Sequence, residues 1–263
     1  MDDREVGKLW DGNADAWTTL SRMGCDIYRD YLNTPAFLNM LPDVEGLRGL
    51  DVGCGEGHNT RLVARRGAEM TAVDIAPKFV RHARENEDEE PLEIQYLAAS
   101  GGALPFADEC FDFVVAFMSL MDMASQEAAV HEVHRVLKPG GFFQFSIVHP
   151  CFGTPRFKVV RDESGNRVAV ECGDYFDQPP GRIEEWIFSG APEELKRTLP
   201  KFRVPRFFRT LSSWVNMLVD AGFLLERLAE PYADDEAVRR CPHLAGTRVA
   251  AYYLHVRCRK PAC

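Results

Sequence analysis

No stretch of the 263 residues approaches the ~20 consecutive apolar positions that a helix needs to cross a bilayer. None of the eight cysteines, at positions 25, 54, 110, 151, 172, 241, 258 and 263, forms a C-x-x-C pair. Zinc ribbons and redox dithiols both need such pairs, so neither is expected. Positive charge is in deficit: 31 basic against 40 acidic side chains give a formal charge of −9. That balance counts against a chain that lives by gripping phosphate backbones. Internal repeats and low-complexity tracts are also missing. The N-terminal MDDREVGKLWDGNADAW is acidic and has no apolar h-region, so a cytoplasmic protein with free thiols is the expectation. With 46% hydrophobic and 11% aromatic residues there is material for a full core.

The first 45 residues read as a helical cap. Trp10, Ala14 and Trp17 recur at helical spacing, as do Tyr28, Tyr31, Leu32 and Leu38. Pro35 is expected to break the second run, and Pro42 to end it. From Gly46 the texture changes to strand-like runs (LRGLDVG, EMTAVD, LEIQYLA, FDFVVAF, FFQFSIV) alternating with amphipathic helical ones. A Pro139-Gly140-Gly141 turn is expected before FFQFSIV. This alternation predicts an α/β fold, a doubly wound and mostly parallel sheet with its ligand crevice at the carboxyl ends of the strands.

Residues 150–209 interrupt the pattern. Phe157–Val160 and Arg167–Val170 flank a turn and read as a hairpin, while prolines 179, 180, 192, 200 and 205 punctuate the rest. So long an insertion reads as a lid or binding loop. The sheet pattern resumes with the helix SSWVNMLVDAG and the strands FLLERLAE and VAAYYLHV. The expected organisation is a single domain over 1–263: a cap at 1–45, a core at 46–149 and 210–260, and the inserted lid between.

The segment Asp51-Val52-Gly53-Cys54-Gly55-Glu56-Gly57 joins a strand to a helix. Glycines let a backbone turn tightly and let a ligand touch it with no Cβ in the way, although a plain connecting turn uses them too. The spacing is G-x-G-x-G, not the G-x-G-x-x-G of dinucleotide binders. Asp74 then closes the next strand, where a carboxylate can take both ribose hydroxyls. Together the two point to a nucleoside-containing ligand.

DVGCGEG, the VDI that ends the second strand, LPFADECFDFVVAF and HRVLKPGG resemble the successive motifs of class I S-adenosylmethionine-dependent methyltransferases. The likeness is to the type 11 branch, which mostly acts on small molecules. It runs from about Gly46 to Val148, and RTLSSWVNMLVDAGFLLERLAEP resembles that branch's sixth-strand region. The resemblance implies a seven-stranded sheet, S-adenosylmethionine as cofactor and S-adenosylhomocysteine as product. It places Gly53, Cys54 and Gly55 against the methionine part of the cofactor, Asp51 near its ammonium group and Asp74 on the ribose. Ile75 would pack on the adenine. Ser100 stands where the family commonly has an Asp that meets the adenine amino group, and a hydroxyl lacks that charge assistance. Phe117 and Met118 would border the cofactor and the reacting methyl, or simply fill the core.

Methyl transfer from a sulfonium needs alignment and exclusion of water more than acid–base machinery. A base helps only where the acceptor must lose a proton. His149, at a strand's carboxyl end, is the candidate base, its alternative being a turn residue held by Pro150. Asp122 is a second candidate, or else a cap for the following helix. The remaining histidines lack ligand spacing, so no metal site is expected. In the insertion Trp186, Phe188, Phe202, Phe207 and Phe208 are expected to wall an apolar pocket. The run from Lys201 to Arg209 is expected to be a lid strand with a solvated basic face, and nucleic acid is not the expected partner. Trp10, Trp17, Tyr28 and Arg29 are expected to close over the cofactor. The predicted function is methyl transfer to a small-molecule acceptor, with no membrane partner. The alternatives are an RNA or protein methyltransferase and a non-catalytic cofactor binder.

Overall fold

Apolar runs too short for helices and too continuous for one-sided strands become the centre of a sheet. The structure, a computed structural model, describes residues 1–177, 179 and 181–262; Pro180 and Cys263 lie outside the described residues. The chain opens with helices α1 (Asp3–Arg22) and α2 (Thr34–Met40). It then alternates through β1 (Arg48–Val52), α3 (His58–Ala64), β2 (Glu69–Asp74), α4 (Pro77–Glu89), β3 (Gln95–Ala98), β4 (Phe111–Phe117), α5 (Gln126–Val136) and β5 (Leu137–Val148). The insertion carries β6 (Arg156–Arg161), β7 (Arg167–Gly173), β8 (Arg182–Trp186), α6 (Glu193–Thr198) and β9 (Phe202–Arg206). The chain closes with α7 (Leu211–Asp220), β10 (Leu224–Ala229), α8 (Asp235–Arg240) and β11 (Tyr253–Arg259).

Seven strands form one sheet in the order β10-β11-β5-β4-β1-β2-β3, with β11 antiparallel to both of its neighbours and the rest parallel. Strand order reverses between β1 and β4, so the crevice opens where their carboxyl ends diverge. Phe113, Val114, Val115 and Ala116 of β4 are all fully buried because helices cover both faces of this strand. Leu50 and Val114 pack with α5 and α7 on one side, and Phe113 and Val115 with Phe37, Val63 and Val80 on the other.

Three local expectations shift. Pro35 does not break the second helical run but starts α2, preceded by a π-helical turn at Arg29–Asn33. The wider turn bonds Thr34 N–H to the Arg29 carbonyl, so the proline's missing donor falls at a junction where it is least costly. The Pro139-Gly140-Gly141 segment is part of β5, because Gly140 N–H donates to the Lys260 carbonyl (3.0 Å) and Lys260 N–H to that of Gly141 (2.9 Å). The last strand begins at Tyr253, four residues later than the VAAYYLHV pattern suggests.

The insertion folds as two hairpins, β6–β7 and β8–β9. The second is bound to the cap. Asn13 of α1 donates to the Arg203 carbonyl (3.0 Å) and accepts from Arg203 N–H (2.9 Å), satisfying the free edge of β9. Trp17 packs on Trp186, Phe188 and Phe202 with ring centroids 5.5, 4.7 and 4.8 Å apart. Cap and insertion therefore make one aromatic layer above the carboxyl ends of the strands.

Candidate active site

The glycine loop is held from behind. Gly53 and Cys54 N–H groups both donate to the Val73 carbonyl, at 2.8 and 3.0 Å. Gly53 sits at φ +81°, and a Cβ there would lie 2.3 Å from Ser119 Cβ. Ser119 cannot retreat easily, since its hydroxyl donates to the Val52 carbonyl at 2.6 Å. Left-handed strain and the clash together should make Gly53→Ala cost about 3 kcal/mol. Thermal melting is the check, with an expected fall in Tm of roughly 6–12 °C for a chain of this size. Gly55 differs: its φ is +56° and a Cβ would meet nothing within 4 Å, so the space before it is open.

That space belongs to a cavity of about 640 Å³ between the strand ends and the aromatic layer. Gly53, Cys54, Gly55, Asp74, Ile75, Ser100, Phe117 and Met118 all line it, as do Trp10, Trp17, Tyr28 and Arg29 of the cap. Met118 adopts φ +53°, an uncommon conformation for a non-glycine residue, and its N–H donates to the Ser146 carbonyl at 3.0 Å. The chain thus turns sharply out of β4 and brings the following residues to the cavity wall.

Asp51 stands one layer back and does not line the cavity. Its Oδ2 accepts from the Thr60 hydroxyl at 2.6 Å, while its Oδ1 is buried without a hydrogen-bond partner among the described residues. Burial pushes its pKa up to about 7, with the Asp74 charge adding to the shift and the Thr60 hydroxyl opposing it. Asp74 accepts from Gly55 N–H (2.8 Å) and Ala76 N–H (2.9 Å). A carboxylate has about four acceptor sites, so two remain for a vicinal diol. Burial raises its pKa to about 6 against the opposing pull of those two amides. A carboxylate placed for a ribose, an open glycine cradle and the apolar side chains of Ile75 and Phe79 fit S-adenosylmethionine.

His149 does not reach this cavity. Its Nδ1 accepts from Cys151 N–H at 3.2 Å, which leaves the proton on Nε2, 2.7 Å from a Glu230 oxygen. Both ring nitrogens are engaged, and the cavity wall beside it is made by Val148 and Phe152. The placement departs from the expectation of a base at His149: a turn and a carboxylate hold the ring outside the wall of this cavity.

Asp122 takes the opposite course. It does not cap α5, whose N-cap is Ser125. Instead it is buried at the cavity wall with Oδ1 2.7 Å from Arg206 Nη1. Arg206 also lies 3.5 Å from Glu184, so one guanidinium serves two carboxylates. Burial first, and the Glu184 charge, push Asp122 up to about 7, while Arg206 pulls the other way. The pair forms because Phe207 N–H donates to the Met121 carbonyl (2.9 Å), which sets the end of β9 against the turn after β4. The basic run is only in part a solvated face: Lys201 and Arg203 are exposed, whereas Arg206 points inward and Arg209 pairs with Glu127 at 2.6 Å. Among the insertion's aromatics, Trp186, Phe188 and Phe208 line the cavity, whereas Phe202 and Phe207 are buried outside its wall.

Sequence reasoning passed over four acidic residues of the wall, Asp3, Asp26, Glu56 and Glu184, of which Glu56 and Asp3 tie elements together. Glu56, inside the glycine loop, accepts from Ser21 (2.7 Å) and Arg29 (3.3 Å) and ties the loop to the cap. Asp3, at the start of α1, reaches the loop after β3. Neither has a local signature, since each partner is distant in sequence. The described residues contain no group of three or more His, Cys, Asp or Glu side chains placed to hold a metal ion. No helix among them is long and apolar enough to cross a membrane. The seven described cysteines are free.

Residues 50–145 match the type 11 methyltransferase-domain family. An uncharacterised protein of Mycobacterium tuberculosis is 35% identical over 96 residues, which are 36% of this chain and 35% of that one. The match thus spans about a third of that relative's length. A ubiquinone biosynthesis O-methyltransferase of Alkalilimnicola ehrlichii is 37% identical over 159 residues, 60% of each chain. The crystal structure of an S-adenosylmethionine-dependent methyltransferase from Mesorhizobium loti superposes with a TM-score of 0.69 at 28% identity, covering 86% of this chain and 96% of that one. Residues 50–145 thus match the methyltransferase-domain family, and the seven-stranded sheet is the fold of the class I S-adenosylmethionine-dependent methyltransferases, which points to S-adenosylmethionine as the cofactor.

Proposed function

We propose that the protein transfers the methyl group of S-adenosylmethionine to a hydroxyl group of a small organic acceptor, with Asp122 receiving the hydroxyl proton. The carrying observation is that one cavity joins the glycine loop and Asp74 to the buried Asp122–Arg206 pair beneath an aromatic roof. S-adenosylmethionine, when bound, supplies a methyl group already activated on a sulfonium with a neutral thioether leaving group. The chain's own task is then to align the acceptor, exclude water and take a proton. Trp186, Phe188, Tyr252 and Tyr253 offer flat apolar walls that suit a planar or aliphatic acceptor and keep water out. Asp122 has two carboxylate oxygens, of which Arg206 holds one, so the other can accept. Arg206 keeps that carboxyl from rising far above neutrality, which is where a general base works best. The O-methyltransferase relative supports a hydroxyl acceptor, and the acidic balance and internally paired arginines favour a small molecule over RNA.

The test is S-adenosylhomocysteine production by the intact chain across a panel of phenols, carboxylic acids and amines, with RNA as a comparison. Turnover with hydroxyl compounds is expected; turnover with RNA alone, or cofactor binding without turnover on any acceptor, overturns the reading. On an acceptor so identified, His149→Ala should retain kcat within about twofold and an unaltered pH profile, since the ring faces Glu230 and not the cavity.

A further inference from the structure

We infer that Asp3, at the start of the cap helix, supplies the carboxylate that receives the adenine amino group of the cofactor, a charge that the loop after β3 lacks because it carries Ser100. The inference rests on the reading that S-adenosylmethionine fills the cavity.

The location of the adenine follows from the strands. Asp74 ends β2 with its carboxylate toward the cavity, and β2 pairs with β3 in parallel, Asp74 opposite Ala98. The loop 99–102 therefore emerges beside Ile75, and a base attached to a ribose on Asp74 extends into the slot between them. Helix α1 closes the far end of that slot: a Cβ on its Gly7 would touch Ile75 Cγ1 at 3.2 Å. One turn earlier, Asp3 lines the same cavity.

Asp3 is fixed there by a built cradle. Its Oδ2 accepts from the Ser100 hydroxyl at 2.7 Å, and the Ser125 hydroxyl lies 2.8 Å from each of its two oxygens. The space is kept clear by Gly102, where a Cβ would lie 2.5 Å from Ser125 Oγ and 3.4 Å from Asp3 Oδ2. Ser100 gives its only proton to Asp3 and accepts Gly102 N–H at 3.1 Å. It therefore works as a strut for a carboxylate and not as the recognising group. The two hydroxyls use part of the acceptor capacity of Asp3, and free lone pairs remain for an N–H donor. An acidic residue in the first turn also suits the helix dipole, but that role needs no inward serine cradle.

Calorimetry with S-adenosylhomocysteine and with its analogue bearing purine in place of adenine, which lacks the amino group, tests the assignment. A charge-assisted hydrogen bond predicts that Asp3→Ala weakens the adenosyl ligand by roughly ten- to a hundredfold while changing the purine analogue little. Adding Ser100→Asp in the Asp3→Ala background should restore the preference for adenine, because the carboxylate returns from the other wall. If Asp3→Ala leaves the adenine preference intact, or weakens both ligands by one factor, the assignment is wrong. Asp3→Asn, of equal size, reads the same ratio should the alanine variant fold poorly. Failure of the unsubstituted protein to bind either ligand would instead remove the reading on which the inference rests.

Discussion

Asp74→Ala is expected to weaken S-adenosylmethionine binding by at least about a hundredfold, from the loss of two charge-assisted hydrogen bonds at roughly 1.5–3 kcal/mol each. The same side chain also receives Gly55 and Ala76 N–H groups, so the glycine loop loosens when it is removed. Asp74→Asn separates the two effects in part. An amide keeps the volume but has one acceptor oxygen in place of two, so it retains one of the Gly55 and Ala76 contacts and should bind poorly while losing less melting temperature than Asp74→Ala. Calorimetry on both variants is the measurement, and wild-type affinity in Asp74→Ala would refute the ribose assignment. Because burial raises Asp74 to about 6, the fully accepting form is present only above that pH. Cofactor affinity should therefore rise as pH increases towards and through 6, then level off.

Asp122→Asn is expected to lower kcat by about 10²–10³ on a hydroxyl acceptor, the range a positioned general base contributes. Rate should rise with pH through about 7 in the unsubstituted protein, since Asp122 must be ionised to take a proton, and that limb should vanish in the variant. The groups acting on this carboxyl are Arg206 of β9, which favours ionisation, and Glu184 of β8, which opposes it. Glu184→Gln should accordingly shift the limb to lower pH without removing it. KM for S-adenosylmethionine should stay within about twofold in Asp122→Asn, because the proposed role of the residue is toward the acceptor and not the cofactor. An unchanged pH–rate profile in that variant would exclude Asp122 as the base. Arg206 is the more fragile partner: deleting it leaves a buried carboxylate without its cation, a loss of about 3–5 kcal/mol in comparable pairs.

The buried carboxyls have a further consequence for stability. Asp51, Asp74 and Asp122 hold pKa values of about 7, 6 and 7 in the folded chain, above the roughly 3.9 of an exposed Asp. Between pH 4 and 7 the folded state thus keeps protons that the unfolded state has released. These three groups therefore make stability fall as pH rises through that window, opposite to the behaviour of an ion-paired surface carboxylate. A bound cofactor offsets the loss by mass action on the folded state.

What the sequence determines by itself is the part of the molecule whose signals are local. Strand runs such as FDFVVAF are continuous because both faces are covered, and helices end where Gly or Pro makes continuation costly. The same holds for Gly53, Cys54, Gly55, Asp74 and Ile75, which lie at strand ends whose position the alternation fixes. The site's charged groups are a different matter. Asp3 meets Ser100 across 97 residues, and Asp122 meets Arg206 across 84. Neither pair leaves a periodicity, a spacing or a composition that a reading along the chain can detect. His149 shows the converse, a residue with the right chemistry at the right strand end whose ring a neighbouring carboxylate turns away. Burial and partner choice are properties of packing, so only the folded chain decides which of several titratable groups faces the cavity and which is a strut.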